Sequence, residues 1–148
     1  MKSIIQYVVF SIIFLAAPSP YAQETQSLGQ LKLEKRQPDT SMNVTSVNLG
    51  REEFIITGET DMEAYGHVYG TYRLSYNQDR QGGAVHVEGR GASIEGIFSG
   101  EGNGYWDLVD GVITIRYIAV ISNGFVNLEI ARFNPRTREM TLEVYAIK

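Results

Sequence analysis

The sequence contains no cysteine. No disulfide can staple the chain and no lipid can be attached through a thiol, so its stability has to come from packing and strand pairing. Histidine is almost as scarce: His67 and His86 both fall on polar strand positions, and although Glu88 lies near, two histidines without close ligand spacing do not make a zinc site. No metal and no cofactor is therefore expected. A serine nucleophile elbow is missing too. The glycine-rich Gly100-Glu-Gly-Asn-Gly104 and Gly89-Arg-Gly91 do not complete G-x-G-x-x-G, and no helix follows either. They read as tight β-corners, not phosphate cradles. Basic residues number 13 against 17 acidic ones and form no cluster, and a net charge of −4 argues against nucleic acid and anionic lipid as partners. Helical periodicity is absent beyond single turns.

What is present begins with a leader. Lys2, the apolar run from Ile4 to Leu15 and the small-residue stretch from Ala16 to Ala22 have the layout of a secretory signal peptide, too short for a membrane span. Its removal takes the net charge from −4 to −5 and leaves one domain's length of chain, enough to bury about two-thirds of its unfolded surface. The expectation is an exported protein, periplasmic or secreted, with no stable membrane insertion after cleavage. Residues 23–42 read as a polar N-terminal arm with one short strand at Leu31 to Glu34, and residues 43–148 as the β-domain. Asn43-Val-Thr45 matches a glycosylation sequon, which matters only in a eukaryotic secretory pathway.

From residue 43 onward every recognisable segment is a strand. The segments are Asn43 to Leu49, Glu52 to Thr57, His67 to Tyr76, Ala84 to Glu88, Ser93 to Ser99, Gly104 to Val109, Val112 to Ile121, Phe125 to Phe133 and Glu139 to Ile147. Short strands with tight links predict an all-β fold, an antiparallel meander of about eight strands closed into a small barrel that leaves no edge unpaired.

Asp110-Gly111 and Asn123-Gly124 are strong two-residue hairpin signals, and they allow the register to be written out. The first pairs Val109 with Val112, hence Trp106 with Ile115 and Tyr105 with Arg116. The second pairs Ser122 with Phe125, hence Tyr117 with Ile130 and Ile118 with Glu129. One face then carries Trp106, Ile113, Ile115, Tyr117, Ala119, Val126, Leu128, Ile130, Met140, Leu142 and Val144. The other gathers Asp107, Glu129, Glu143, Tyr105 and Tyr145 around Arg116, within the diagonal reach of a long side chain.

Three readings of that pattern stay open. In the first, the apolar face is the barrel core and Arg116 sits in an exposed ion-pair lattice contributing ~0–1 kcal/mol per pair. In the second, the barrel is inverted: the apolar face packs against sister subunits, and Arg116, Asp107, Glu129, Glu143 and Tyr145 line a cavity. There two neighbouring glutamates would share a proton, and a tyrosine would donate to a developing oxyanion, which is a cofactor-free acid/base site. In the third, the apolar face meets lipid as in a small outer-membrane barrel, for which Ala84 to Glu88 and Ser93 to Ser99 are short. Trp106, Tyr72, Tyr105 and Tyr117 are the candidate ligand-binding aromatics; Trp106, Tyr72 and Tyr117 form an aromatic floor where the apolar face lines a cavity.

Gly66-His-Val-Tyr-Gly-Thr-Tyr72, Gly96-Ile-Phe-Ser-Gly-Glu-Gly102 and Gly104-Tyr-Trp106 give a spacing of glycines and aromatics that resembles small secreted barrels of the allene-oxide-cyclase and dirigent group, and also calycins. Lipocalins carry G-x-W on their first strand, whereas here it falls past mid-chain. The resemblance implies an eight-stranded barrel, often oligomeric, with a ligand cavity running into one end. Its members position a reactive small molecule or catalyse without cofactors, and no catalytic residue of that group can be transferred to this chain. The leading expectation is an exported barrel that binds a small apolar or aromatic ligand. A cofactor-free isomerase, cyclase or lyase is second, and an envelope interaction module third.

Overall fold

A computed structural model describes residues 31–148. The leader assigned to residues 1–22 and residues 23–30 of the arm lie outside the described residues. Among the described residues nine strands follow one another: β1 (Leu33–Lys35), β2 (Thr40–Leu49), β3 (Glu53–Met62), β4 (Gly66–Ser75), β5 (Gly82–Ser93), β6 (Gly96–Val109), β7 (Val112–Ile121), β8 (Val126–Phe133) and β9 (Glu139–Ile147). From β2 to β9 each strand pairs antiparallel with the next, and β9 pairs back onto β2. The result is a closed eight-stranded barrel, in which every strand has two neighbours and no long edge is left to template aggregation.

The short β1 runs beside the end of β9, with Leu33 opposite Ile147, while β2 takes the beginning of the same edge, with Met42 opposite Met140. β1 and β2 thus act as one interrupted strand. Residues 33–42, grouped with the arm by composition, supply β1 and the start of β2. At the interruption Arg36 and Gln37 turn inward, and Gln37 is buried with its amide nitrogen 3.1 Å from Thr40 Oγ1.

The first hairpin follows the expected register: Val109 faces Val112, Trp106 faces Ile115 and Tyr105 faces Arg116. Asp110 and Gly111 both have positive φ, 52° and 80°, as a type I′ turn requires. The second hairpin differs. Ile121, not Ser122, lies opposite Phe125, because Gly124 alone takes positive φ (86°) and the loop is three residues long. That is the turn in which a type I bend is followed by a left-handed residue. The slip pairs Tyr117 with Glu129 and Ile118 with Leu128, and reverses the two sides of β8.

A second correction concerns the glycines. Gly89-Arg90-Gly91 is not a turn, and Gly100 to Gly104 is not a corner; both run inside long strands, and the chain reverses at Ile94-Glu95 between Ser93 and Gly96. These glycines alternate inward in step with Val85, Val87, Phe98 and Trp106.

The apolar face forms the inside of the barrel. Ile56, Leu74 and Ile115 are inaccessible to solvent, and Trp106, Tyr117 and Leu142 nearly so. Each such side chain contributes about 1.5–3 kcal/mol by leaving water. The charged face turns outward, so the inverted arrangement and the lipid-facing arrangement of the apolar face do not describe this barrel.

Candidate functional site

The interior holds two recesses, one towards each end. Along five of the strands a buried residue separates them: Ile56 on β3, Leu74 on β4, Val85 on β5, Ile115 on β7 and Ala131 on β8. These residues fill the waist of the barrel.

The first recess is a wide mouth of about 480 Å³ at the end where β3, β5, β7 and β9 begin. Val47, Phe54, Tyr76, Trp106, Leu108, Ile113 and Phe133 line it, with Arg80 and Arg138 at the rim. Trp106 is the floor. Its indole N–H donates to the Ser75 carbonyl at 2.8 Å, and its ring meets Phe54 (5.2 Å between centroids, 88°) and Tyr76 (6.0 Å, 74°) edge-on. Such edge-to-face packing holds the rings rigid. The Arg80 guanidinium stacks 4.0 Å over Tyr76, a cation–π contact at the rim. Both rim arginines have positive φ, 59° at Arg80 and 60° at Arg138, a backbone region costly for any side chain other than glycine.

The second recess is a smaller chamber of about 60 Å³ in the opposite half, between Met42, Met62, Tyr65, Tyr72, Phe98, Tyr117 and Glu129. It faces a row of inward glycines that crosses four strands, Gly58 opposite Gly70, Gly70 opposite Gly89, and Gly89 opposite Gly100. Side chains from other strands lie over most of this row: Met42 over Gly58 and Gly70, Ile121 over Gly100. In front of Gly89 the space is open, the nearest atom to a Cβ there being the Tyr69 carbonyl oxygen at 3.8 Å.

The register slip puts a polar chain against this chamber. Tyr117 and Glu129 are directly opposite on β7 and β8, and the Tyr117 hydroxyl shares a 2.6 Å hydrogen bond with Glu129 Oε2. Asn127 Nδ2 donates to Glu129 Oε1 at 3.2 Å and to the Tyr65 hydroxyl at 2.9 Å, while Arg36 Nε donates to Asn127 Oδ1 at 2.7 Å. The Tyr72 hydroxyl lies 3.4 Å from that of Tyr117. Glu129 is 7% exposed, and burial pushes its carboxyl above the usual range despite the hydrogen bonds from Tyr117 and Asn127. Burial likewise raises Tyr72, and burial together with the Glu129 charge raises Tyr117. Arg36 is hydrogen-bonded to Asn127 and not to the acid, and among the described residues no cation forms an ion pair with Glu129.

The residues singled out from the sequence are therefore distributed over four places. Arg116 and Asp107 do meet, at 2.8 Å on the outer wall, with the guanidinium 5.4 Å from the Tyr105 ring centroid. Glu143 and Tyr145 form a separate outer group: the Tyr145 hydroxyl donates to Glu143 at 2.6 Å, Arg132 pairs with the same carboxylate, and these two contacts hold Glu143 below the usual carboxylate range. Glu129 is inside, with Tyr117 and Tyr72, and neighbours neither Arg116 nor Glu143. Of the aromatics, Trp106 belongs to the mouth, Tyr72 and Tyr117 to the chamber, and Tyr105 is 54% exposed outside.

Sequence reasoning did not single out Asn127, Tyr65, Arg36 or the glycine row. A cue to the first existed: Ala131 and Phe133 share the alternation phase of Asn127 and Glu129, while Arg132 shares that of Val126, Leu128 and Ile130. His67 and His86 stand apart along the β4–β5 ladder, opposite Ala92 and Arg73, and His67 is bonded to Asp61 at 2.8 Å. No family model, curated protein or solved structure matches the chain.

Proposed function

We propose that this protein is an exported carrier or sensor that binds a small apolar or aromatic molecule with an anionic end, in the wide mouth of the barrel. The mouth itself carries the reading. It is of the size that encloses much of a small ligand, its walls are aromatic and aliphatic, and its aromatic floor is fixed before any ligand arrives. Pre-organisation of this kind lowers the entropic cost of binding. Arg80 and Arg138 at the rim supply the only formal charges of the lining and suit a carboxylate or sulfonate end. That both hold a strained backbone conformation supports a role beyond filling a turn.

Export belongs to the same proposal and rests on the leader-like residues 1–22. The acidic balance of the chain supports a small molecule, not nucleic acid, as partner. Kinship with the allene-oxide-cyclase and dirigent group or with calycins is supported by the closed antiparallel barrel and by nothing finer.

Trp106 is the only tryptophan, so intrinsic fluorescence reads the floor of the mouth without labelling. Titration with anilinonaphthalene sulfonate is expected to give saturable energy transfer from Trp106. Arg80→Gly and Arg138→Gly, which keep the backbone conformation allowed, are expected to weaken that binding while leaving the fold intact. A probe that binds without energy transfer from Trp106, or that is indifferent to both arginines, sinks the proposal. Native mass spectrometry of protein purified from its own host then identifies what is retained.

A further inference from the structure

We propose that the Glu129 chamber is a second, separate binding site, taking a small uncharged molecule with a carbonyl-type oxygen on a compact apolar body. The polarity follows from a protonated Glu129, the state favoured for an acid only 7% exposed. Arg36 Nε donates to Asn127 Oδ1, which fixes the Asn127 amide so that Nδ2 faces Glu129 Oε1. Oε1 is thereby held as an acceptor, and a proton on the acid resides on Oε2. The Tyr117 hydroxyl, 2.6 Å from Oε2, donates to it when the acid is ionised; with the acid protonated that bond reverses, and Tyr117 is free to donate to the Tyr72 hydroxyl 3.4 Å away. Tyr72 then has one O–H left, and it stands at the chamber that Tyr72 itself lines. An uncharged acceptor oxygen completes the chain. With the acid ionised, both of its oxygens accept, the two hydroxyls must donate towards it, and no donor is left for an occupant.

The surroundings select against ions. Facing Glu129 are Tyr117 from β7, Tyr72 from β4, Tyr65 from the turn between β3 and β4, and Arg36 beyond Asn127. A ligand anion would meet an acid with no spare cation beside it, and a ligand cation would require the acid to ionise in a buried, apolar place. Size limits the occupant too. A water needs roughly 10–15 Å³ of such volume, so 60 Å³ admits a body of roughly four to six non-hydrogen atoms. Openness at Gly89 supplies part of that room.

The test uses five-membered rings: cyclopentanone as the uncharged acceptor, cyclopentane as the hydrocarbon, and pyrrolidine as the cation at neutral pH. Met42 and Met62 line the chamber and Trp106 the mouth, so carbon-13-labelled methionine methyls and the indole N–H report the two recesses separately by NMR. Cyclopentanone is expected to shift the Met42 and Met62 methyls saturably, to leave Trp106 unmoved, and to bind more weakly as pH is raised through the ionisation of Glu129. Tyr72→Phe is expected to weaken the ketone about tenfold, one hydrogen bond's worth, and to leave cyclopentane unchanged. Gly89→Ala, which touches no hydrogen bond, is expected to weaken both rings by narrowing the chamber, and keeps the question answerable should Tyr72→Phe misfold. Equal response to ketone and hydrocarbon in the wild type and Tyr72→Phe, a preference for pyrrolidine, or shifts confined to Trp106 would each overturn the proposal. The last of these leaves the mouth reading standing, and loss of anilinonaphthalene sulfonate binding leaves this one standing.

Discussion

Gly104 and Gly89 sit on neighbouring strands and both face inward, yet they answer to different constraints. A Cβ on Gly104 would lie 1.9 Å from the Arg116 carbonyl oxygen and 2.6 Å from Tyr117 Cα, so β7 itself would have to move. At Gly89 the nearest atom is 3.8 Å away. Gly104→Ala is therefore expected to cost about 1–3 kcal/mol, in the range of overpacked cores. Gly89→Ala should be neutral or stabilise by up to about 1 kcal/mol through a stiffer unfolded chain. Urea unfolding of the two variants checks both values, and equal effects would mean the two inward glycines are alike. The outer wall follows a different rule. Arg116 remains 34% exposed in its pair with Asp107, and an ion pair of that exposure contributes about 0–1 kcal/mol. Arg116→Ala is expected to stay within that limit in the same measurement; a loss of several kcal/mol would show a desolvated cluster instead.

At the scale of elements, one hairpin decides what the barrel contains. Ser122, Asn123 and Gly124 form a three-residue link, and Ser122 ties it to β6 through Ser99, its N–H donating to the Ser99 carbonyl at 2.8 Å. Deleting Phe125 keeps that three-residue link and brings Val126 opposite Ile121, hence Ile130 opposite Tyr117, the pairing expected from sequence. Because side chains alternate, that slip of one position would turn Val126, Leu128 and Ile130 inward and Asn127, Glu129, Ala131 and Phe133 outward. The deletion is expected to abolish cooperative unfolding and near-ultraviolet circular dichroism, and a well-folded product would show that β8 does not depend on this pairing. The same loop marks how far sequence reasoning reaches. The strands outside β5 and β6, the Asp110-Gly111 turn and the inward row from Trp106 to Ala119 were legible, since alternation and turn chemistry agree there. At Asn123-Gly124 two turn types suit the same dipeptide, and the more apolar phase of β8 was the wrong one: Val126, Leu128 and Ile130 tolerate half-burial outside, whereas Glu129 is held inside by Tyr117 and Asn127. The glycines of β5 and β6 misled for a related reason. Glycine signals a bend in isolation, but here Tyr117 and Ile121 lie over Gly102 and Gly100 from the next strand, a contact between positions far apart in the chain.

For the whole molecule, enclosing Glu129 couples stability to pH. Its carboxyl is raised above the ordinary value of 4.5 by desolvation, against the opposing pull of Tyr117, Asn127 and Arg36. Above pH 4.5 the unfolded chain releases this proton while the folded barrel keeps it. The folded state then binds more protons than the unfolded state, so stability falls as pH rises, by up to about 1.4 kcal/mol per pH unit. The decline ends where the folded carboxyl itself ionises. Below the ordinary value both states are protonated and the group has no effect. Glu143 and Glu34 act with the opposite sign, since their lowered values add stability that is lost on acidification. A comparison with Glu129→Gln removes them, because they are common to both proteins. The amide has the same length and no charge, so its Nε2 can donate where the protonated acid did. The stability of the wild type relative to Glu129→Gln, from urea unfolding across a pH series, is expected to fall steadily above pH 4.5 and then level off. Parallel curves would mean that Glu129 is ionised inside the barrel, stabilised there by Arg36 through Asn127. The chamber would then have no donor to offer an uncharged oxygen, so the same titration bears on what the second recess can hold.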